Sequence, residues 1–508
     1  MSDVDSLAQR SARAMGWNWV GSAVRAMLQF VVQIALARLL GPDAFGQAAA
    51  VLLVVGLGSL VAEVGLGAAL VQQAQLDDSD IGFALTWILA SSVVVMLVIA
   101  LLAQPIALLL GDARLGTLVL ASALAVPLQA LTSLPMSLMQ RGYRARRWQA
   151  IQVASYALAY GTIGVPLALQ GWGAWSLLAA FAAHAGLVVA MGWASLRFTL
   201  RPRWTGHTAL RAYGRRTLLA NLVNWGIESV DRLLVSRGWG AAALGEYALA
   251  ANLSRAPVTL LVGSLQPVAF ASSSRLQDEP LRLARGYLAL LTLALLATVP
   301  TFAFFAWHAD AIVALLYGPR WAGAAAPFAW LCLGVPFFAM LALTGPMLRG
   351  VGAVGGEVRA QLAVLVLLAV ALGWLMGKPL VFAAAAVALA SALRAALLYR
   401  ALRARVALPA KAIARAWGGA LALAAIVCAS CLAVALAGAS GLGALFISAA
   451  LALPLCLAAL RWSRGALLGE ELAVALRNRR GDSRAARDRK STRLNSSHER
   501  LSRMPSSA

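Results

Sequence analysis

Two related stretches decide the fold that this sequence predicts. Residues 37–49 read ARLLGPDAFGQAA and residues 236–248 read SRGWGAAALGEYA. The stretches share a pair of glycines five positions apart: Gly41 and Gly46 in the first, Gly240 and Gly245 in the second. Each follows an apolar run long enough to cross a bilayer. The offset is about 200 residues, or six such runs, so the sequence predicts two halves of the same orientation, related by an axis along the membrane normal.

The composition is that of a membrane protein. Of the 508 residues, 61% are hydrophobic and 12% are charged, whereas a soluble domain carries about 25% charged residues. Apolar runs recur from end to end, and the alternating segments of about ten residues that mark a β-barrel are absent from the sequence. The fold class predicted is therefore an all-α polytopic membrane protein.

Fourteen transmembrane helices are predicted, in two pseudo-symmetric six-helix lobes plus two C-terminal helices. Each candidate span approaches or exceeds the roughly 20 residues that cross a bilayer. The predicted spans are 16–40, 45–70, 82–110, 115–139, 149–171, 173–196, 213–236, 243–270, 284–307, 322–348, 355–376, 379–402, 413–437 and 440–461.

The loops between the spans predict the orientation. The net charge of +23 comes from bases in short segments between apolar runs, which is typical of topology signals and not of a nucleic-acid interface. With the N-terminus inside, roughly 29 Lys and Arg residues fall on the inner side and about six on the outer side. Both termini are therefore expected in the cytoplasm.

Spans and loops together predict six segments. These are a cytoplasmic N-terminal segment (1–15), an N-lobe of spans 1–6 (16–204), a C-lobe of spans 7–12 (205–405), spans 13–14 (406–461), a basic cytoplasmic tail (462–487) and a tail at 488–508. The last begins DRKSTRLNSSH, which resembles one reading frame of a sequencing adapter. We therefore expect it to be non-native and exclude it from fold reasoning.

Two spans carry a stripe of polar residues on one face. The stretch NLVNWGIESVDRLLV (221–235) places polar side chains at spacings of three or four, and NWVGSAVRAMLQFVVQ (18–33) does the same. A charge at the bilayer centre costs about 2.5–3.5 kcal/mol on insertion scales, so such residues usually face a bundle interior or a wet cavity. The stripes predict a polar cleft between two lobes, where repeat-built transporters hold their substrate.

Eight residues are candidates for function. We assign substrate binding to five lumen candidates, Arg25, Gln29, Asn221, Asn224 and Arg255, and ion coupling to three acids, Glu63, Glu228 and Asp231. Arg255 lies about a dozen residues into its span, near the midplane on a rise of about 1.5 Å per residue.

The structural alternatives to these roles are internal pairs. Arg25 would pair with an acid inside the bundle, Glu63 with Arg25 or Arg38, and Asp231 with its neighbour Arg232. Trp225, inside the second polar stripe, is a candidate for stacking on a sugar.

Metal, cofactor and enzyme motifs are not supported. Cys428 and Cys431 form a C-x-x-C, but no second pair or nearby His completes a metal site. The G-x-G-x-x-G match at 350–355 links two membrane spans, whereas a dinucleotide fingerprint needs a βαβ unit. We expect no metal, no cofactor and no enzyme activity.

The chain resembles a known superfamily. The stretches RSARAMGWNWVGSAVRAMLQFVVQIAL, ARLLGPDAFGQAAAVLLVVGLGSLVAEVGLGAALVQ and ESVDRLLVSRGWGAAALGEYALAANLSR resemble the Wzx-type polysaccharide and oligosaccharide flippases of the multidrug/oligosaccharidyl-lipid/polysaccharide (MOP) exporter superfamily. The resemblance covers residues 6–460.

The resemblance implies a V-shaped cleft and alternating access in the bacterial inner membrane. The substrate implied is an undecaprenyl-pyrophosphate-linked oligosaccharide, flipped for O-antigen, capsule or exopolysaccharide synthesis. Membrane lipids, H⁺ or Na⁺ as coupling ions and the polysaccharide polymerase machinery are the other partners expected, and nucleic acid is not.

Two alternatives stay within the superfamily: a multidrug or cation antiporter, for which an acidic lumen is expected, and a lipid II flippase. A membrane glycan polymerase is the least favoured alternative because the predicted outer loops are short.

Overall fold

The protein is all-α, as the sequence predicts. The computed structural model describes residues 2–73, 76–196, 203–204, 208–275, 279–406 and 408–462, and these residues form helices and turns without a β-strand. The predicted tail segments, 462–487 and 488–508, lie outside the described residues except for residue 462, as do residues 197–202 and 205–207.

Eighteen α-helices follow one another along the described chain. In order they are α1 Ser2–Glu63, α2 Leu66–Gln72, α3 Asp78–Leu101, α4 Ala103–Leu109, α5 Gly116–Ser122, α6 Ala125–Leu131, α7 Ser133–Arg141, α8 Ala145–Ala159, α9 Val165–Leu169, α10 Ala174–Ser195, α11 Thr208–Arg275, α12 Pro280–Trp307, α13 Ala309–Tyr317, α14 Ala325–Gly350, α15 Val354–Leu375, α16 Leu380–Arg403, α17 Ala410–Leu436 and α18 Gly441–Trp462. Two 3₁₀ turns, Ala113–Leu115 and Pro319–Ala324, and a π-helical turn, Tyr160–Gly164, complete the described set.

Ten helical segments of the described chain are long and apolar enough to cross a membrane, and the bent pair Ala113–Ser122 and Ala125–Arg141 makes an eleventh. One of the ten, Gly16–Glu63, has 48 residues, more than twice the roughly 20 that a span needs. The protein is therefore a multi-span membrane protein, and the count of fourteen stays a prediction.

Packing divides the chain into two compact units. The first contains Met1–Leu260, Ala309–Leu331 and Gln361–Ala390, and the second contains Leu261–His308, Cys332–Ala360 and Ser391–Ala508. The lobe boundaries at 204 and 405 stay a prediction.

The two longest helices each break at the first glycine of the repeated stretch. Gly41 in α1 has φ 76° and ψ 175°, and Gly240 in α11 has φ 84° and ψ −179°. This backbone region is essentially restricted to glycine. At both breaks the residues before and after the glycine keep helical geometry. One residue therefore divides an overlong helix into two segments.

The second glycine of each stretch lets the two breaks approach each other within the first unit. A Cβ added to Gly46 would lie 2.8 Å from Gly245 N and closer still to Ala241 O. A Cβ added to Gly245 would lie 3.0 Å from Gly46 N and closer still to Pro42 O. The contact is reciprocal, as expected for two halves related by a pseudo-two-fold axis.

A pair of arginines makes the same reciprocal contact. The alignment of the two stretches also matches Arg38 with Arg237. Arg38 Nε donates to Leu316 O at 2.7 Å, near the end of α13, and Arg237 Nη1 donates to Leu109 O at 3.1 Å, at the end of α4. The last four carbonyls of a helix lack partners within it, so each arginine caps a helix beyond its own half. We call Arg38, Gly46, Arg237 and Gly245 the reciprocal clasp.

Large aromatic side chains fill the core beside the clasp. Trp321 is fully buried, donates from Nε1 to Ala37 O at 2.9 Å, and meets the edge of Phe45 with ring centroids 5.6 Å apart. Tyr247 is likewise fully buried. These rings hold α1 and α11 on both sides of their breaks.

The second unit has its own buried polar contacts. The hydroxyls of Tyr287 and Thr344 are 2.9 Å apart, and both side chains are fully buried. Arg349 Nη1 lies 2.8 Å from Glu357 Oε1, and Glu357 is buried. Partners for every polar group are expected where no water is available.

We expect Gly46→Ala and Gly245→Ala each to lower the stability of the purified protein by about 1–3 kcal/mol, the usual cost of overpacking. The added methyl would collide with the opposite backbone, which has no flexible side chain to yield. The measurement is the thermal unfolding midpoint in detergent.

The matched control for this prediction is Gly186→Ala in α10, since a Cβ there meets nothing within 4 Å. Equal midpoints for Gly46→Ala, Gly245→Ala and Gly186→Ala would show that the close contact of the clasp does not constrain the fold.

Candidate functional site

A polar cleft of about 490 Å³ lies within the first unit. Both segments of α1, the C-terminal end of α8 with its π-helical turn, Leu177 of α10 and the second segment of α11 form its walls. Its polar lining residues are Gln29, Gln33, Tyr156, Tyr160, Asn252, Arg255 and Thr259. Two of the five predicted substrate-binding residues, Gln29 and Arg255, are therefore brought together.

Arg255 gives the cleft its positive charge. Its side chain is half-buried, and the described residues that line the cleft include no carboxylate. A guanidinium binds anionic groups such as phosphate through charge-assisted, bidentate hydrogen bonds. The cleft is therefore suited to an anionic ligand.

Two stacked tyrosines form part of the wall. The rings of Tyr156 and Tyr160 have centroids 4.3 Å apart and planes 24° apart, and His184 meets Tyr156 edge-on at 5.6 Å. Tyr160 begins the π-helical turn Tyr160–Gly164, a distortion that is frequent at functional sites. Aromatic faces beside amide groups provide surfaces on which a polar ring can stack.

Gln33 adds an amide donor. Its Nε2 is buried and has no hydrogen-bond partner among the residues that the structure describes. Buried polar groups are nearly always bonded to protein or to ordered water. The amide is therefore available to a ligand or a water molecule in the cleft.

The polar stripe of the first span divides between two environments. Asn18 and Arg25 bond to α8: Gln149 Nε2 donates to Asn18 Oδ1 at 2.5 Å, and Arg25 Nη1 donates to Gln152 Oε1 at 3.4 Å. Arg25 thus contacts an amide and lies one helical turn from Gln29, beside the cleft. The part of the stripe that lines the cleft is Gln29 and Gln33.

The stripe of α11 also divides. Asn224 Nδ2 donates to Glu228 Oε1 at 3.3 Å on an exposed face, and Asn221 is half-buried. Asp231 is buried, and its carboxylate accepts from Tyr247 Oη at 2.6 Å and from the backbone N–H of Arg232 at 2.8 Å. None of these four predicted residues is among the described residues that line the cleft.

Asp231 is nevertheless linked to the cleft through Tyr247. The phenol of Tyr247 is fully buried, is bonded to Asp231, and lies within electrostatic range of Arg232 and Arg255. An ion pair between Asp231 and Arg232 alone does not describe this carboxylate, because its two oxygens accept from the phenol of Tyr247 and from the backbone N–H of Arg232.

Glu63 lies apart from the cleft at the end of α1. A Cβ added to Gly67 would come within 2.6 Å of Glu63 Oε1 and 3.0 Å of Ser137 Oγ. Arg25 and Arg38, its two suggested partners, bond instead to Gln152 and to carbonyls of α13. The indole Nε1 of Trp225 would lie 3.6 Å from a Cβ on Gly56, so Trp225 packs against α1.

Five cleft residues were missed from the sequence: Gln33 as a binding residue, Tyr156, Tyr160, Asn252 and Thr259. A sequence signal for the two tyrosines was present. Polar and aromatic residues follow one another at helical spacing along α8 and into its π-helical turn: Gln149, Gln152, Tyr156 and Tyr160. Asn252 and Thr259 lie on the same face of α11 as Arg255, three and four residues away.

Among the described residues no three His, Cys, Asp or Glu side chains are grouped to hold a metal. Cys431 instead packs with Val427 and Ala452 in the second unit, and Cys428 is a free thiol.

Comparison with known proteins identifies the family. A family model described as polysaccharide biosynthesis protein matches residues 35–326, more than half of the chain. The chain belongs to this family. Succinoglycan biosynthesis transport protein ExoT of Rhizobium meliloti (strain 1021) is 27% identical over 68% of this chain and 70% of that protein. Teichuronic acid biosynthesis protein TuaB of Bacillus subtilis (strain 168) is 23% identical over 56% of this chain and 58% of that protein.

Solved structures show the same fold. The lipid II flippase MurJ in an inward closed conformation superposes with a TM-score of 0.72 at 12% identity, covering 88% of this chain and 98% of that one. An inward-facing multidrug resistance transporter of the MATE family and MOP superfamily gives 0.57 at 13% identity, covering 77% and 98%. The resemblance that the sequence predicts is confirmed: the chain belongs to the polysaccharide biosynthesis family and has the fold of MurJ and of a MATE transporter of the MOP superfamily.

We expect Gln29→Cys and Thr259→Cys to react with a water-soluble maleimide in membranes, because both native side chains line the cleft and are exposed. Both variants are made in a protein whose four native cysteines have been replaced: Cys332, Cys428, Cys431 and Cys456. The measurement is the labelled fraction by gel shift.

Ala250→Cys is the matched control on the same helix as Thr259, since Ala250 is fully buried. Labelling of Thr259→Cys no faster than that of Ala250→Cys would show that the cleft is dry.

Proposed function

We propose that this protein flips an undecaprenyl-pyrophosphate-linked oligosaccharide across the bacterial inner membrane by alternating access. The product would serve surface polysaccharide synthesis: O-antigen, capsule or exopolysaccharide. The observation that carries the proposal is the cleft of the first unit, which Arg255, amide side chains and stacked tyrosines line together and whose described lining includes no carboxylate. Membership of the polysaccharide biosynthesis family and the MurJ-like fold support it.

The charge of the cleft matches the linkage of such a substrate. A pyrophosphate is anionic, and a guanidinium can bind two phosphate oxygens at once in a fixed geometry. Because Arg255 is half-buried, the interaction would be screened less than at an open surface. Arg25, one turn beyond Gln29, would extend the positive potential along the cleft.

The neutral residues match the sugar. Amide groups of Gln29, Gln33 and Asn252 can donate to and accept from hydroxyls, and the rings of Tyr156 and Tyr160 offer apolar faces. A multidrug or cation antiporter would instead need carboxylates facing its substrate. The observed lining therefore favours the anionic glycolipid over the cation.

The reciprocal clasp suggests how one side is kept closed. With both termini in the cytoplasm, as we propose, Arg38 and Arg237 lie at the outer ends of their spans. Opening outward would then separate these arginines from the helix ends that they cap. Thr259→Cys would accordingly react from either side of the membrane during turnover, which labelling of right-side-out and inside-out vesicles can test.

Coupling to H⁺ or Na⁺ is part of the proposal. Of the three predicted acids, Asp231 is best placed, because it is buried and bonded to Tyr247 beside Arg255. Asp231→Asn in a vesicle transport assay would test this role: transport that still responds to imposed ion gradients would remove Asp231 from the coupling.

We expect Arg255→Gln to reduce surface polysaccharide and to raise lipid-linked sugar in the inner leaflet by about ten-fold, the effect of losing one charge-assisted hydrogen bond. The measurement is extraction and quantification of both pools in cells with equal protein levels. Arg114→Gln is the control, because Arg114 is exposed and paired with Asp112 at 2.9 Å, away from the cleft. Wild-type export by Arg255→Gln would contradict the role of Arg255.

We expect overexpression to leave resistance to cationic drugs unchanged, because the described lining of the cleft carries a guanidinium and no carboxylate. The measurement is the minimal inhibitory concentration for a panel of lipophilic cations, with a known multidrug exporter as positive control. A rise in resistance that Arg255→Gln does not abolish would support the antiporter instead.

A further inference from the structure

The second unit has a separate groove of about 570 Å³ at one end of α12. Its floor is formed by the buried side chains of Ala284, Leu288 and Leu408, and its rim by the exposed side chain of Leu281. An exposed leucine beside a buried apolar floor leaves a surface that water solvates poorly.

Two guanidinium groups reach this groove from separate elements. Arg285 lies on α12, and Arg403 is the last residue of α16. Both side chains are exposed, and Arg285 Nε donates within its own helix to Leu281 O at 3.4 Å. Outward-facing nitrogens of both arginines are therefore available to an anion.

The described carboxylates of the second unit are paired with other arginines. The described residues of the second unit contain two acidic side chains, Glu279 and Glu357. Glu279 pairs with Arg282 at 2.7 Å and Glu357 with Arg349 at 2.8 Å. The described lining of the groove thus has two positive charges and no negative one.

We propose that this groove binds an anionic phospholipid, with its phosphate between Arg285 and Arg403 and an acyl chain along the floor. Guanidinium groups bind phosphate oxygens in bidentate geometry, and the apolar floor would serve no purpose for a soluble anion. In the predicted orientation both arginines lie at the cytoplasmic ends of their spans, where anionic headgroups attract basic residues and basic pockets between helices bind lipid headgroups.

The test is native mass spectrometry of the purified full chain titrated with phosphatidylglycerol. We expect the wild-type protein to retain it in preference to phosphatidylcholine. Arg285→Gln and Arg403→Gln should each weaken binding by about ten-fold, the effect of one charge-assisted hydrogen bond. Phosphatidylglycerol should also raise the thermal unfolding midpoint of the wild-type protein, because a ligand bound to the folded state stabilises it.

Arg282→Gln is the matched control, because Arg282 lies on the same helix, is exposed, and is paired with Glu279 outside the groove. It should bind phosphatidylglycerol as the wild type does. Equal loss in Arg282→Gln, equal binding of phosphatidylcholine, or unchanged binding by the Arg285→Gln, Arg403→Gln double variant would each overturn the proposal.

Two further arms separate the possible sources of phosphate. Inorganic phosphate should not displace the lipid, and undecaprenyl pyrophosphate should compete no better than phosphatidylglycerol; displacement by either would show a different ligand. The readout is also independent of flipping, since Arg255→Gln should keep full phosphatidylglycerol binding even where export is lost.

Discussion

The close approach of two glycine backbones is the constraint on which the first unit depends. Gly46 and Gly245 lack the Cβ atoms that would hold α1 and α11 apart, and Gly41 and Gly240 supply the breaks that let both helices turn toward each other. In hydrocarbon, any backbone group freed by a break must find a partner within the protein. Trp321 provides such a partner by donating to Ala37 O beside the break of α1, and Arg38 and Arg237 bond to carbonyls at the ends of α13 and α4.

The cleft follows from that arrangement. Residues one to three turns beyond the glycines, including Ala48 and Leu52 of α1 and Asn252 and Arg255 of α11, face the same cavity because the two segments diverge from a common contact. The described lining, one guanidinium with amides and tyrosines, is a poor environment for a cation and a good one for an anionic head that carries hydroxyls. The chemistry of the cleft thus agrees with a family of polysaccharide biosynthesis proteins.

Arginines in this protein serve purposes that their sequence positions do not distinguish. Arg38, Arg141 and Arg237 donate to carbonyls at helix ends. Arg25 bonds to an amide across a helix interface, and Arg255 lines the cleft. Each of these arginines lies in or beside an apolar run, so the pattern of charge and hydrophobicity in the sequence does not distinguish them. The role of each arginine depends on its partner. For Arg25, Arg38, Arg141 and Arg237 that partner is more than 60 positions away in the sequence.

Composition and periodicity alone were enough for the all-α membrane fold, the repeated glycine stretches and the presence of Gln29 and Arg255 at a polar site, because bilayer length and helical spacing are local properties of the chain. Composition and periodicity could not show that Gln29 lines the cleft and Asn18 does not, since residues on one helical face meet different neighbours along its length. Nor could they distinguish Arg255 from Arg25, since each lies on a helix whose neighbours are set by packing. The packing of α8 against α1 brought Gln149 and Gln152 to Asn18 and Arg25 and placed Tyr156 and Tyr160 in the cleft. The break of α11 at Gly240 brought Tyr247 back to Asp231. Hydrocarbon makes every unpaired polar group costly, so the tertiary partner and not the residue type determined which polar side chains line the cleft.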